Sequence, residues 1–168
     1  IMNAINDPSS KIYNNIEIAL TISDKQDSGI LKKCKDNNIK NIHIPYISGE
    51  GRDYYDAKIT NEFKKENVDF ILCIGWMRIL SNSFIKKWKQ RCLNVHPSLL
   101  PKYGGNMNLK VHEEVLKNEE KETGCTIHFI TDKIDNGPII MQKKCKIEEN
   151  DASEILKRKV QELEGNAY

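Results

Sequence analysis

The sequence predicts an α/β domain built on an open, mostly parallel sheet. Three observations predict it. Strand-like and helix-like segments alternate along the chain and are joined by short turns, the pattern of strand–helix–strand units. The segment Val68–Gly75 (VDFILCIG) is apolar almost throughout, as a central strand covered on both faces would be. No repeat, low-complexity tract or Pro/Gly/Ser linker divides the 168 residues, so the chain reads as one domain.

The elements follow in order. Asn15–Ile22 (NIEIALTI) is rich in β-branched residues and reads as a strand. Ser23-Asp24 offers a cap for a helix over Lys25–Asn37, and Asn41–Tyr46 reads as a second strand, stopped near Pro45. Asp53–Glu66 is helical, because Tyr55, Ile59 and Phe63 recur every fourth residue and share one face. After the Val68–Gly75 strand, Ser81 is positioned to cap a short helix to Gln90, and Cys92–His96 is a strand ended by Pro97. Asn108–Lys117 reads as a helix and Thr126–Thr131 as a strand, with Ile139–Ile147 as its partner across the loop from Asp132 to Pro138. The last helix runs from about Ala152 to Glu164. Asp151 is its expected N-cap, Glu154 completes a capping box, and Leu156, Val160 and Leu163 form its core stripe.

Composition excludes several function classes. Hydrophobic residues make up 39% and charged residues 30%, enough apolar material for a core and too much for a disordered chain. The charges nearly balance, 26 Lys and Arg against 24 Asp and Glu, which gives no reason to expect nucleic acid as a partner. No apolar run approaches the ~18 residues of a membrane helix, and no basic-then-apolar leader is visible, so a cytoplasmic protein is expected, an organelle not being excluded. Five cysteines, Cys34, Cys73, Cys92, Cys125 and Cys145, show no metal-ligand spacing. They read as small buried hydrophobes of a reducing compartment, and no metal is expected.

Ligands of open α/β sheets sit at the carboxyl ends of the strands. At one such end Asn94 and His96 flank Val95. Residues two apart on a strand point to the same face, so an amide and an imidazole share one pocket there. An amide N–H stabilises a developing oxyanion, and an imidazole moves or donates a proton. The pair therefore suits a reaction in which a carbonyl carbon turns tetrahedral, although a hydrogen-bonded Asn and His at a strand end are also ordinary structural features.

The residues around the pair are more specific. Leu93–Tyr103 (LNVHPSLLPKY), Gly75–Leu80 (GWMRIL) and Gly124–Gln142 (GCTIHFITDKIDNGPIIMQ) resemble, in order and in spacing, three signature blocks of the folate-dependent formyltransferases. The resemblance runs from about Ile1 to Tyr168 and is nearest to the branch of purine synthesis. It implies a Rossmann-like formyltransferase fold, an open mostly parallel sheet with helices on both faces. It also implies transfer of a formyl group from the co-substrate 10-formyltetrahydrofolate to the amino group of glycinamide ribonucleotide, by a monomer or homodimer.

Residue by residue, Asn94 matches the asparagine that holds the formyl oxygen and His96 the proton donor. Asp135 matches the aspartate that raises the histidine pKa. Folate contacts map onto Met77, Arg78, Ile79 and Leu80, onto Asn94, and onto Thr131, Asp132, Lys133, Ile134 and Asp135, with Arg52 near the folate tail. Nucleotide contacts map onto the segment Gln161, Glu162, Leu163 and Glu164, in which Gln161 and Glu164 share a helix face. His112 and His128 fall in family-like positions with no catalytic role assigned; His112 reads as a helix-surface residue and His128 as a satisfied strand residue.

Two departures stand out. The family begins with a strand and a glycine-rich turn that holds the substrate phosphate. Here Ile1–Ile5 resembles the helix after that turn, and the last helix runs straight into Tyr168, so the domain reads as lacking its N-terminal strand and truncated at both ends. The loop Tyr103–Val111 (YGGNMNLKV) also differs from most relatives. Alternative activities within the same fold are formyltetrahydrofolate hydrolysis and formylation of methionyl-tRNA; a non-catalytic folate-binding module is the alternative from another class.

Overall fold

The computed structural model describes residues 1–168. The chain forms two compact units, Ile1–Asp69 with Leu80–Phe84, and Phe70–Ile79 with Ile85–Tyr168.

The first unit holds α1 (Met2–Ile5), β1 (Thr21–Ser23), α2 (Gly29–Asp36), β2 (Asn41–His43) and α3 (Arg52–Lys65). β1 and β2 pair in parallel with Thr21 opposite Asn41. Of the expected strand Asn15–Ile22, only its last two residues enter the ladder; the extended stretch before them has no partner strand to register with. Ser23 does not cap α2. Its hydroxyl accepts the Lys25 N–H at 3.1 Å and makes a local turn, and the helix starts at Gly29 instead. The α3 stripe is as expected: Tyr55, Ile59 and Phe63 are all buried. Ser81 accepts the Phe84 N–H at 3.3 Å, the expected cap of the short helix α4 (Asn82–Lys87).

The second unit holds a four-stranded sheet in the order β3 (Ile71–Cys73), β4 (Cys92–His96), β5 (Glu122–Phe129), β6 (Ile139–Lys146), with α5 (Leu109–Lys117) and α6 (Ser153–Ala167). β3 and β4 are parallel; β4–β5 and β5–β6 are antiparallel. The α/β class stands, but the sheet is mixed: parallel pairing gives way to antiparallel from β4 onward, because β5 and β6 form a hairpin.

β3 differs from its expected burial on both faces. It is the edge strand of this sheet, and its pleat alternates: Ile71 and Cys73 are buried, whereas Leu72 is 38% and Ile74 59% exposed. The α6 cap also differs. The helix is preceded by Ala152 with no side-chain cap; Asp151 accepts the Glu148 N–H at 2.9 Å and pairs with Lys159 at 2.6 Å, and Glu154 accepts from the Ser153 hydroxyl. The core of the unit is Val111 and Val115 of α5, Cys125 and Ile127 of β5, and Leu156 and Val160 of α6. Leu163 is only half-buried. All five cysteines are free thiols, four of them buried. No helix is long and apolar enough to cross a membrane.

Candidate active site

The strand β4 carries Asn94 and His96 on one face, as the two-residue period requires, and antiparallel pairing sets Asn94 opposite His128 and His96 opposite Thr126. The loop between β5 and β6 then returns over this face. Gly137 permits the tight return, since a Cβ there would stand 1.7 Å from the Phe129 carbonyl oxygen. Asp135, in the left-handed region at φ 50°, is brought from this loop onto His96.

The result is a chain of polar contacts. His96 Nδ1 lies 3.2 Å from Asp135 Oδ2, and His128 Nε2 lies 3.6 Å from Asp135 Oδ1. Asn94 Nδ2 is 3.3 Å from His128 Nε2, while His128 Nδ1 is 3.0 Å from the Phe129 carbonyl. A carbonyl only accepts, so Nδ1 of His128 carries its proton and the Asn94 amide donates to Nε2. By the same logic His96 Nε2–H donates to the Tyr103 carbonyl at 3.1 Å, and Nδ1 is the nitrogen turned to the carboxylate. Asp135 Oδ2 also accepts the Gly105 N–H at 2.8 Å.

His96 is 4% exposed. Burial lowers its pKa below the ordinary imidazole value; the Asp135 carboxylate and the Tyr103 carbonyl pull it back up, and His128 pushes it down. The carboxylate thus acts in the expected sense, but desolvation outweighs it and the net shift is downward. With oxygens facing both ring nitrogens, the doubly protonated ring satisfies both contacts, so the geometry holds a proton that burial makes easy to give up.

The remaining expected residues fall in different places. Met77 and Ile79, on the irregular segment after β3, are exposed at 47% and 56%; Arg78 is half-buried; Leu80 is buried and packs in the first unit's core. Asp132, Lys133 and Ile134 are exposed on the β5–β6 loop, where Thr131 Oγ1 donates to the Lys133 carbonyl at 3.1 Å. Arg52 opens α3 in the first unit and is exposed. On α6, Gln161 and Glu162 are exposed, and Leu163 and Glu164 are partly buried. Burial raises the Glu164 pKa to about 7.

Comparison with known proteins decides the family. The formyl transferase family model matches residues 1–168. The chain belongs to the formyl transferase family. It is 34% identical over 168 residues to the trifunctional purine biosynthetic protein adenosine-3 of Drosophila melanogaster, covering all of this chain and 12% of that protein. It is 33% identical over 151 residues to phosphoribosylglycinamide formyltransferase of Escherichia coli strain K12, covering 90% of this chain and 70% of that protein. The structure of phosphoribosylglycinamide formyltransferase from Brucella melitensis superposes with a TM-score of 0.87 at 30% identity, covering 98% of this chain and 81% of that one. The chain therefore spans about one eighth of the trifunctional relative's length.

For a formyl transferase, two parts of this site escaped the sequence reading. His112 is not on a helix surface: it is 2% exposed, with Nδ1 buried and unpartnered, and burial followed by the nearby charges of Lys157 and His96 lowers its pKa to about 4. The signal was available, because His112 sits next to buried Val111 and one turn before Val115 on α5. The Tyr103 carbonyl and Gly105 N–H are backbone groups, invisible to any reading of side-chain types.

Proposed function

We propose that this chain transfers a formyl group from 10-formyltetrahydrofolate to the amino group of glycinamide ribonucleotide. The observation that carries the reading is the meeting of Asp135 and His96, 3.2 Å apart, with the Asn94 amide on the same strand face. The names of the relatives supply the substrate class.

The chemistry follows from the groups. The substrate amine attacks the formyl carbon, a C–N bond forms, and the carbonyl oxygen gains negative charge. The Asn94 amide N–H stabilises that oxygen, an interaction stronger in the transition state than before it. The proton held between His96 Nδ1 and Asp135 Oδ2 is the one offered to the oxyanion, general acid help worth about 10²–10⁴ in rate. On collapse the carbonyl re-forms and its proton returns to the His96–Asp135 pair, the bond from the formyl carbon to the folate nitrogen breaks, and the proton lost by the attacking amine goes to the folate nitrogen, so no net proton is consumed. Exposed Met77 and Ile79 offer an apolar wall to the pterin. Glu164, half-buried with no ion-pair partner, suits a hydroxyl or amine of the nucleotide.

The test is turnover with both substrates. Formylated nucleotide supports the reading. Formate released in the absence of nucleotide supports the hydrolase, formyl transfer to charged tRNA supports the tRNA enzyme, and folate binding without turnover supports a binding module.

A further inference from the structure

The loop after β4 grips both partners of the His96–Asp135 pair. Two residues apart, it supplies an acceptor, the Tyr103 carbonyl to His96 Nε2–H at 3.1 Å, and a donor, the Gly105 N–H to Asp135 Oδ2 at 2.8 Å. Tyr103 does this from the left-handed region, φ 62°, which a residue with a Cβ keeps only where its surroundings hold it. What holds it is its side chain. The Tyr103 hydroxyl donates to Glu120 Oε1 at 3.0 Å and accepts from Asn118 Nδ2 at 3.1 Å. Glu120 is itself fixed by Lys102 Nζ, 2.8 Å from Oε1 and 3.1 Å from Oε2. Asn118 ends α5 and Glu120 lies just ahead of β5, so the ring is tied to the turn between two packed elements.

We infer that Tyr103 and Glu120 are positioning residues for His96: through the phenol–carboxylate bond they fix the Tyr103 carbonyl, which takes up Nε2–H and leaves Nδ1 as the nitrogen that handles the proton. A histidine's reactive nitrogen is selected by the hydrogen bond its other nitrogen makes. Neither side chain touches the reacting atoms; both act at a distance through one backbone oxygen. The inference rests on the catalytic reading of His96 only for its effect on rate. The titratable groups that face His96 are Asp135 from the β5–β6 loop, His128 from β5 and His112 from α5. None of them is altered by the substitutions that test the inference.

The experiment uses Tyr103→Phe, Glu120→Ala, Glu120→Gln and Lys102→Ala, each read by steady-state kinetics against pH and by the side-chain nitrogen resonances of His96 in the free protein. Tyr103→Phe and Glu120→Ala are expected to lower kcat about tenfold, the scale of a small misplacement of a catalytic group, with both KM values within about twofold. They are also expected to shift the pH profile and the His96 nitrogen signals. Glu120→Gln, which keeps an acceptor for the phenol, restores most of the rate, and Lys102→Ala, which loosens Glu120 without removing it, falls between Glu120→Ala and wild type. Unchanged His96 signals in both Tyr103→Phe and Glu120→Ala overturn the inference, as does a loss in Glu120→Gln equal to that in Glu120→Ala. If no protein, wild type included, transfers formyl groups while the His96 signals still respond, the positioning stands and the proposed activity falls.

Discussion

Asp135 is the residue on which the site's electrostatics turn. Replacing it by Asn keeps the shape and one oxygen for the Gly105 N–H but removes the charge beside His96 Nδ1. Asp135→Asn is expected to lower the single-turnover rate by about 10²–10⁴ and to leave folate affinity within a few-fold, as loss of a proton-handling group should. Near-normal turnover removes the assigned role. A second residue-scale outcome concerns Asn94. Asn94→Ala removes the amide donor to the developing oxyanion and is expected to cost about 3–4 kcal/mol in the rate step. Titration calorimetry with the nucleotide decides: affinity lost in proportion to the rate marks Asn94 as a binding residue only. At this scale the sequence was informative where the logic is local. The spacing of Asn94 and His96 along one strand puts them on one face with no further information. Asp135 came only from a matching block, since nothing local says that a loop residue 39 positions on from His96 will fold back over it. His128 became a neighbour of Asn94 through strand register, which is a property of the pairing and not of either segment.

Elements were legible where a stripe was long. The α3 face of Tyr55, Ile59 and Phe63 is legible because 14 residues give the period time to show, and all three are buried. The three-residue strands β1, β2 and β3 were overextended, because apolar β-branched runs continue past the residues that find ladder partners. The burial of β3 is not legible for a related reason: its composition is that of a covered strand, but its place in the four-stranded sheet is an edge. Asp56, on the buried side of α3 and 3% exposed, accepts the Ser81 N–H at 2.6 Å, and Asp53 one turn earlier accepts from the Ser83 hydroxyl at 2.5 Å. The two carboxylates hold the start of α4. Asp56→Ala leaves a buried N–H without an acceptor and is expected to cost about 1–3 kcal/mol in urea unfolding, with Asp56→Asn costing less because its carbonyl still accepts. Equal unfolding midpoints for Asp56→Ala and wild type would show that the Ser81 N–H finds water instead.

For the molecule as a whole, charge balance directs attention away from the surface. With 26 basic against 24 acidic side chains, no large net repulsion builds near neutrality, and stability against pH is set by groups whose burial changes their proton affinity. Two such groups lie on the packed helices α5 and α6, and they oppose each other. Burial lowers His112 from 6.5 to about 4. Between those values the unfolded chain binds a proton that the folded chain refuses, so its contribution is complete above 6.5 and is lost as the pH falls towards 4. Burial raises Glu164 from 4.5 to about 7. Between those values the folded chain keeps a proton that the unfolded chain has released, so its contribution is complete below 4.5 and is lost as the pH rises through 7. Across the shared interval the slopes have opposite sign, so these two contributions offset each other there. Each group is exposed by removing the other. Glu164→Gln leaves the histidine alone, so this variant gains stability over wild type steadily as the pH rises from 4.5 to about 7. His112→Gln leaves the carboxyl alone, so its stability relative to wild type falls as the pH rises from about 4 to 6.5. Thermal melts of the three proteins at half-unit steps of pH decide the matter: curves that remain parallel to wild type would mean that neither burial penalty is felt in folding.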